Sequence, residues 1–315
     1  MKKDSLIFAL ALFVIFSINI FAYAEPVKIG FGWVGKASMP ERVTKGFLKG
    51  IDDLGADIEI EYRRELMSMS DLGDIVSRWQ MEKKAMVILR SNAAEWLAKN
   101  PPKIPTFIGA CNHPGQLGVV NNLNAPEGNV TGVTYFISVE KQFDLFQRII
   151  PQIKSVLLLL EKGHPSSDID KEETKDVCSK RGISYNDRLC SSKDEAVEVV
   201  KFYRDDVSLI IIGSQALNLD NAENIVKAAG ATPVVSYSSR PVKVGALCGL
   251  VASDDKLGHM LAQSLVDVVI KGKIIKDVPV KFDPAPKVSI NIETANRLGI
   301  KIPYDILKEA EVVGK

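Results

Sequence analysis

The feature that most constrains the fold of this chain is a regular alternation of short apolar runs with longer amphipathic stretches. Residues 85–89 and 208–212 are apolar on both faces, as parallel strands buried on both sides of a sheet must be. Amphipathic stretches such as 42–54 and 193–203 separate the runs, as crossover helices separate parallel strands. The pattern predicts parallel sheets with helices on both faces.

The alternation occurs twice, once on each side of a segment near residues 129–135. The strand-like runs of the two sets are 27–31, 58–62, 85–89 and 104–108, and then 155–160, 183–188, 208–212 and 233–236. Two sets predict an α/β protein with two doubly wound, Rossmann-like lobes. One large doubly wound enzyme domain is the alternative.

Polar residues follow three of the predicted strands, where ligands collect in open parallel sheets. Ser91 and Asn92 follow the run 85–89, Gly213-Ser214-Gln215 follows 208–212, and residues 236–240 combine hydroxyls, a tyrosine and an arginine. Helix capping explains each position taken singly. Three such ends together favour a ligand site.

The first 24 residues have the pattern of a cleavable export leader. Lys2 and Lys3 give a positive start, residues 6–21 are largely apolar, and Ala22-Tyr23-Ala24 is a small-x-small cleavage pattern. A transmembrane anchor is the alternative, but the uninterrupted apolar core is short for a span and no positive cluster follows it. We therefore expect a signal peptide over 1–24 and a periplasmic mature chain.

The net charge and the spacing of the cysteines argue against several kinds of partner and site. A net charge of +1 gives no electrostatic case for nucleic acid or an anionic membrane as a partner. The four cysteines match neither a zinc pattern nor C-x-x-C. Cys178 and Cys190 are the nearest pair, but the predicted elements place them beyond disulfide reach, so free thiols are expected.

Candidate catalytic residues are scarce. Cys111 and His113 could suggest a thiol with a base, but proximity in sequence does not establish that geometry. His164 falls in a predicted surface loop over 162–170, and His259 falls on a predicted helix over 256–270. The chain has no G-x-S-x-G elbow, G-x-G-x-x-G or P-loop, so neither catalysis nor a cofactor is expected.

Several motifs resemble one bacterial family. The turn Gly128-Asn129-Val130-Thr131-Gly132-Val133 with the predicted helix 141–151, and above all residues 288–303, look like the tryptophan/tyrosine-binding type of ABC-transporter substrate-binding protein. Residues 29–30 with 46–47, 244–247 and 257–258 also fall where that family has counterparts.

The resemblance implies a type I periplasmic binding protein fold with three crossings between hinged lobes. It places lobe one at 25–134 plus 243–275 and lobe two at 135–242 plus 276–315. The cleft residues it implies are Trp33, Ser91, Asn92, Asn112, His113, Tyr135, Gly213, Ser214, Gln215, Tyr237 and Ser253.

Three positions depart from the family pattern. His113 and Ser253 stand where the family usually has aspartates, and a buried ligand ammonium needs a carboxylate or equivalent acceptors. Trp33 stands where the family often has Gln, and could either stack on a ligand or pack within the lobe. We therefore expect a neutral or anionic, partly apolar or aromatic ligand rather than an amino acid.

Two binding functions share this cleft chemistry. One is a solute receptor that delivers its ligand to an ABC permease. The other is a sensory protein that presents its closed form to a membrane receptor or kinase. A secreted enzyme would require turnover that depends on His113 or Cys111.

Overall fold

The computed structural model describes residues 25–314, and the predicted signal peptide lies outside this range. The first of its two sheets has six strands in the order β11-β5-β4-β3-β1-β2. These strands are β1 (Val27–Val34), β2 (Ile58–Leu66), β3 (Ala85–Leu89), β4 (Thr106–Gly109), β5 (Val130–Thr134) and β11 (Lys281–Phe282). All its strand pairs are parallel.

The second sheet has seven strands in the order β13-β12-β10-β9-β8-β6-β7. These are β6 (Ser155–Glu161), β7 (Ser184–Cys190), β8 (Leu209–Ile212), β9 (Val234–Ser236), β10 (Cys248–Val251), β12 (Lys287–Asn291) and β13 (Glu311–Val313). The pair of β10 with β12 is antiparallel and the other pairs are parallel. The predicted fold class, two doubly wound α/β lobes, is confirmed.

Twelve α-helices connect the strands in the described part of the chain. They are α1 (Ser38–Asp53), α2 (Met69–Glu82), α3 (Ser91–Lys99), α4 (Val139–Ile149), α5 (Pro165–Arg181), α6 (Lys193–Tyr203), α7 (Ala216–Leu219), α8 (Ala222–Ala229), α9 (Ser239–Lys243), α10 (Asp254–Val269), α11 (Ile292–Arg297) and α12 (Tyr304–Glu309). Between residues 25 and 314, no helix is both long and apolar enough to cross a membrane.

The central strands show why apolar and polar residues do not alternate within the apolar runs. In β3, Val87 and Leu89 point into one core while Met86 and Ile88 point into another. In β6, Leu157 belongs to a different core from Leu158. Successive strand side chains point to opposite faces, so a sheet with helices on both faces needs apolar residues at every position.

Two glycines of the family-like motifs allow close backbone packing. A Cβ on Gly132 of β5 would lie 2.0 Å from the Ile108 carbonyl oxygen of β4, and Gly132 has a φ of +154°. A Cβ on Gly258 of α10 would lie 2.2 Å from the Val43 carbonyl oxygen of α1. Only glycine fits either contact, so these residues fix the approach of β5 to β4 and of α10 to α1.

The chain passes between the lobes three times, and the second and third crossings differ from the predicted boundaries. β10 lies inside the range 243–275 assigned to lobe one, yet it pairs with β9 and β12 of the second sheet. β11 lies inside the range 276–315 assigned to lobe two, yet it pairs with β5 of the first sheet. These short strands carry too little periodic signal to be placed from sequence, so sheet membership corrects both boundaries.

The predicted loop 162–170 is also corrected. Helix α5 begins at Pro165, inside the predicted loop. His164 is the N-cap and its side chain accepts a hydrogen bond from the Ser166 N–H, while Pro165 occupies the first turn, where its missing N–H costs no hydrogen bond. The earlier start places residues 165–170 on a helix that faces the other lobe.

Candidate functional site

The lobes contact each other directly across the cleft. Asn112, which follows β4 in lobe one, donates from Nδ2 to Asp170 Oδ1 of α5 at 3.0 Å and to Ser214 Oγ after β8 at 3.3 Å. Gln116 donates to Glu173 at 2.9 Å and Arg240 donates to Ser38 at 3.3 Å. These bonds join groups from opposite lobes, so they describe a closed arrangement.

The carboxylate of Asp170 is the centre of this contact. Its Oδ2 accepts from the Ser214 N–H at 2.8 Å, from Ser214 Oγ at 2.8 Å and from Gln215 Nε2 at 2.7 Å, in addition to the Asn112 bond on Oδ1. Burial raises the pKa of Asp170 and the four donors oppose that shift. A carboxylate surrounded by donors is an acceptor with its hydrogen-bonding capacity largely used by the protein.

A pocket opens beside this contact between the two lobes, and we call it the interlobe pocket. Lobe one contributes residues 37–40, Arg42, Arg90, Ser91 and Ala110. Lobe two contributes His164, Ser214, Ala216, Leu219, Asp220 and Arg240, and Tyr135 lies at the first crossing. The pocket leaves about 40 Å³ for the centres of water-sized molecules. Since one water needs roughly 10–15 Å³ by this measure, the closed pocket fits only a few atoms.

The pocket carries an excess of positive charge. Arg42, Arg90 and Arg240 line it against a single carboxylate, Asp220. Arg42 is paired with Asp254 at 2.6 Å, and Arg240 lies 3.4 Å from Asp220. Within the described residues, Arg90 has no carboxylate within 4.0 Å, and its Nη1 donates to the Val34 carbonyl oxygen. Burial lowers the pKa of Arg90, and the charges of Glu161 and Asp220 oppose that shift.

Arg90 also has an unusual backbone. It precedes α3 with a φ of 86° and a ψ of 152°, a region that is essentially restricted to glycine. Its N–H donates to the Gly109 carbonyl oxygen at 2.9 Å, and its carbonyl oxygen accepts from the Ala94 N–H at 3.0 Å. These two bonds hold the residue between β4 and the first turn of α3.

Two further side chains that line the pocket are neutral polar groups. Burial and the charge of Arg90 lower the pKa of His164 to about 4, so its ring is neutral at pH 7. Its Nδ1 accepts from Ser166, so the neutral ring carries its proton on Nε2. Burial and the neighbouring Asp170 raise the pKa of Tyr135 to about 12, and its hydroxyl donates to Ser214 Oγ at 3.3 Å.

The structure brings six of the predicted site residues together around Asp170. Ser91, Tyr135 and Ser214 line the pocket, and Ser91 Oγ accepts from the Asn112 N–H at 3.0 Å. Gln215 is buried and its Oε1 has no partner. Gly213 packs closely, because a Cβ there would lie 2.9 Å from the Leu159 carbonyl oxygen of β6. The six are Ser91, Asn112, Tyr135, Gly213, Ser214 and Gln215.

Three of the predicted residues of lobe one lie away from the pocket. Trp33 is fully buried in the core, edge-on to Phe31 with ring centroids 6.3 Å apart, which favours the packing interpretation. Asn92 makes a local bond in which its Oδ1 accepts from the Ala93 N–H. His113 packs edge-on against Phe136 at 4.9 Å, and its Nδ1 accepts from the Gln116 N–H.

Two other predicted residues, Tyr237 and Ser253, lie in the lobe two core and at the second crossing between the lobes. Tyr237 stacks on Phe146 at 6.4 Å and its hydroxyl lies 2.8 Å from Thr174 Oγ1. Ser253 caps α10 at the second crossing, and its N–H donates to Asp283 at the third crossing at 2.9 Å. Asp283 also accepts from Lys256 Nζ at 2.7 Å, so it ties two of the three crossings together.

Sequence reasoning did not single out Asp170, Arg90 or His164. Asp170 lies on a buried helical stripe with Ser166 and Thr174, at spacings of four residues, and that periodicity was available in the sequence. Arg90 is a lone charge directly after a fully buried strand, which is also a readable signal. His164 joins the pocket only because α5 starts early.

The described residues offer no catalytic constellation. Cys111 is buried, its Sγ lies 3.6 Å from the Val133 carbonyl oxygen, and burial raises the thiol pKa to about 12. A thiol with that pKa is not a nucleophile at neutral pH. The other three cysteines are also buried and free. No group of three or more potential metal ligands occurs between residues 25 and 314.

Known proteins with similar sequences are binding proteins, which agrees with a pocket between two lobes. The sequence profile of the family described as ABC transporter substrate binding protein matches residues 33–313. A tyrosine-binding protein of Clostridioides difficile (strain R20291) is 23% identical over 276 residues, which are 85% of this chain and 80% of that protein.

Solved structures share the fold at low identity. A Streptococcus pneumonia ABC domain in complex with L-Trp has a TM-score of 0.82 at 24% identity, over 91% of this chain and 99% of that one. A ligand-free, open substrate-binding protein with adhesive properties from Clostridium difficile has a TM-score of 0.74 at 22% identity, with the same coverage. The chain therefore belongs to the ABC transporter substrate-binding protein family, as its motifs indicated, and it is a binding protein rather than an enzyme.

Proposed function

We propose that this protein captures a small molecule in the interlobe pocket, outside the cytoplasm, and delivers it to an ABC importer in the membrane. The observation that carries the proposal is a pocket lined by both lobes beside hydrogen bonds that join the two lobes directly. Closure of two lobes around a ligand is a common binding transition in two-lobed proteins. The signal-peptide pattern over 1–24 supports export.

The family membership favours transport over the sensory role. The matched family is a transporter family, whereas the sensory alternative rests on the cleft chemistry alone. Two similar proteins are named for binding tyrosine or L-Trp, so aromatic amino acids belong in the first ligand panel beside aromatic carboxylic acids.

Thermal unfolding in the presence of candidate ligands tests the proposal. A ligand at about a hundred times its Kd stabilises the protein by roughly 2.7 kcal/mol, which raises the melting temperature by several degrees. The panel comprises amino acids, aromatic acids, nucleobases, sugars and small carboxylates. A shift with one class supports ligand capture, and uptake of that compound by cells with and without the gene tests delivery. No shift with any class would contradict ligand capture.

A further inference from the structure

Among the arginines that line the interlobe pocket, Arg90 is the one that has no carboxylate within 4.0 Å in the described part of the chain. Arg42 and Arg240 have carboxylate partners, while Arg90 contacts a backbone carbonyl oxygen that cannot neutralise it. A half-buried guanidinium loses hydration, so an anionic partner is favourable there. Its fixed fork of donors matches the two oxygens of a carboxylate.

The backbone at Arg90 supports a binding role over a packing role. A non-glycine residue in this region is strained and persists where the surrounding structure enforces the conformation, as the bonds to Gly109 and Ala94 do here. Glycine would occupy the same backbone without strain. The chain instead carries a long cation at a position that lines the pocket.

The pocket offers little to a ligand ammonium. Asp170 already accepts four bonds from the protein, and Asp220 lies 3.4 Å from Arg240. Asp254 is paired with Arg42, and Glu161 accepts from the Leu217 N–H at 3.1 Å. These carboxylates all have partners from the chain, so an ammonium would have to displace a cation or a donor.

The remaining lining is apolar or neutral. Met39, Pro40, Ala110 and Leu219 contribute apolar atoms. Ser91, Tyr135 and His164 supply neutral polar groups beside Arg90. In the closed arrangement the free space matches a group of a few atoms, and a larger body requires the lobes to move apart.

We propose that Arg90 is the anion anchor of the interlobe pocket and that the ligand is a carboxylate with an apolar body and no ammonium group required for binding. The inference rests on the proposed function, since it assigns a ligand class to the same pocket. The ligand carboxylate lies against the guanidinium, and Ser91 and His164 donate to it.

Two series of probes that differ by single groups test the ligand class. The indole series is indole-3-propionate, tryptophan and tryptamine, and the phenyl series is 3-phenylpropionate, phenylalanine and phenethylamine. Calorimetric titration of the purified protein should rank the carboxylate first in at least one series and show no binding of the amine. Tighter binding of the amino acid or the amine would overturn the inference, as would absence of carboxylate binding in both series.

Substitutions at Arg90 test the anchor. Arg90→Gln should weaken carboxylate binding by about 10- to 100-fold, and Arg90→Lys should restore part of it, because a hydrogen bond to a charged group contributes this order of affinity. Arg297→Gln is the matched control, since Arg297 is exposed and contacts only the Gly230 carbonyl oxygen. Unchanged carboxylate affinity in Arg90→Gln would overturn the inference.

A glycine variant separates binding from folding. Arg90→Gly relieves the backbone strain, so its denaturant midpoint should not fall while its carboxylate binding is lost. Glu65→Gly is the control for strain relief away from the pocket, because Glu65 has a φ of 52°. A lower midpoint with retained binding in Arg90→Gly would make Arg90 a structural residue.

The two proposals fail in different ways. Binding of a sugar, nucleobase or amino acid that does not depend on Arg90 would refute the role of Arg90 as anion anchor but would leave ligand capture standing. No binding of any compound would refute both the anion anchor and ligand capture.

Discussion

The two faces of the cleft each place a charged residue at the interlobe contact, and they treat it in opposite ways. On the lobe two face, Asp170 is buried and accepts four hydrogen bonds from three residues. On the lobe one face, Arg90 has a single bond to a backbone carbonyl oxygen and lines the pocket. A buried charge satisfied by the chain holds the structure together, whereas one left partly unsatisfied is available to a ligand.

The backbone conformations of the two residues also differ, since one is regular and the other is strained. Asp170 lies in the regular helix α5, whose first turn is capped by His164. Arg90 lies in a strained junction between a strand and a helix. Strain of this kind is found at binding sites more often than in packed cores, so the contrast separates a structural charge from a functional one.

The largest expected effect is on stability when Asp170 is changed. Asp170→Asn places an amide nitrogen against the donors of Ser214 or Gln215, so we expect the free energy of unfolding to fall by about 3–5 kcal/mol. Urea denaturation followed by circular dichroism measures it.

Asp168→Asn is the control for that variant, because Asp168 is exposed on the same helix. It should change stability by less than about 1 kcal/mol, the usual range for a charge near a helix N-terminus. Equal effects of the two substitutions would show that the Asp170 contacts contribute nothing.

The next effect is a pH dependence that comes from His164. Its pKa is about 4 in the folded protein and 6.5 ordinarily, so the unfolded chain binds more protons between these values. Stability therefore falls as the pH drops from 6.5 towards 4, by up to about 3 kcal/mol from this residue. Denaturant midpoints at pH 7 and pH 4.5 measure the loss.

His164→Asn supplies the control, since asparagine also caps a helix but does not titrate in this range. It should show a smaller loss between the two pH values. In Arg90→Gln the His164 pKa should rise, because the charge of Arg90 contributes to lowering it. Identical pH profiles of wild type and His164→Asn would contradict the burial of the neutral ring.

The smallest effect is expected at the hydroxyl of Tyr135, which lies between the two charges. Tyr135→Phe removes bonds to Ser214 at 3.3 Å and Ser166 at 3.5 Å, so we expect a stability loss of about 1 kcal/mol. Thermal unfolding measures it, with the exposed Tyr304→Phe as the control. A loss above that of Asp170→Asn would place the main interlobe contact at Tyr135 instead.

The apolar runs and their repetition predict most of the fold. The strands around residues 85–89 and 208–212 are where the sequence places them, because a strand buried on both faces is apolar throughout. The four-residue β10 and the two-residue β11 are too short for a periodic signal, and the sequence boundaries of the lobes were wrong at both.

Part of the candidate site follows from where the predicted strands end. The polar groups after β3 and β8 are predicted because the carboxyl ends of parallel strands gather at one edge of a sheet, whereas Asn112 after β4 is implied only by the family resemblance. Trp33 and Tyr237 were expected in the cleft but lie in the two cores, since aromatic side chains near a strand end can turn either way. The charge on a helix, Asp170, was not found because most helix carboxylates face solvent.

The sequence by itself determined the fold class, the doubling of the lobes and the family, because periodicity and motif spacing are local properties of the chain. Only the tertiary structure decided which charged side chains have partners within the protein. Asn112 and Asp170 are 58 positions apart, and Arg90 and Val34 are 56 apart. The partners of a charge across such separations depend on how the strands and lobes pack together, and that packing distinguishes the structural carboxylate from the cation available to a ligand.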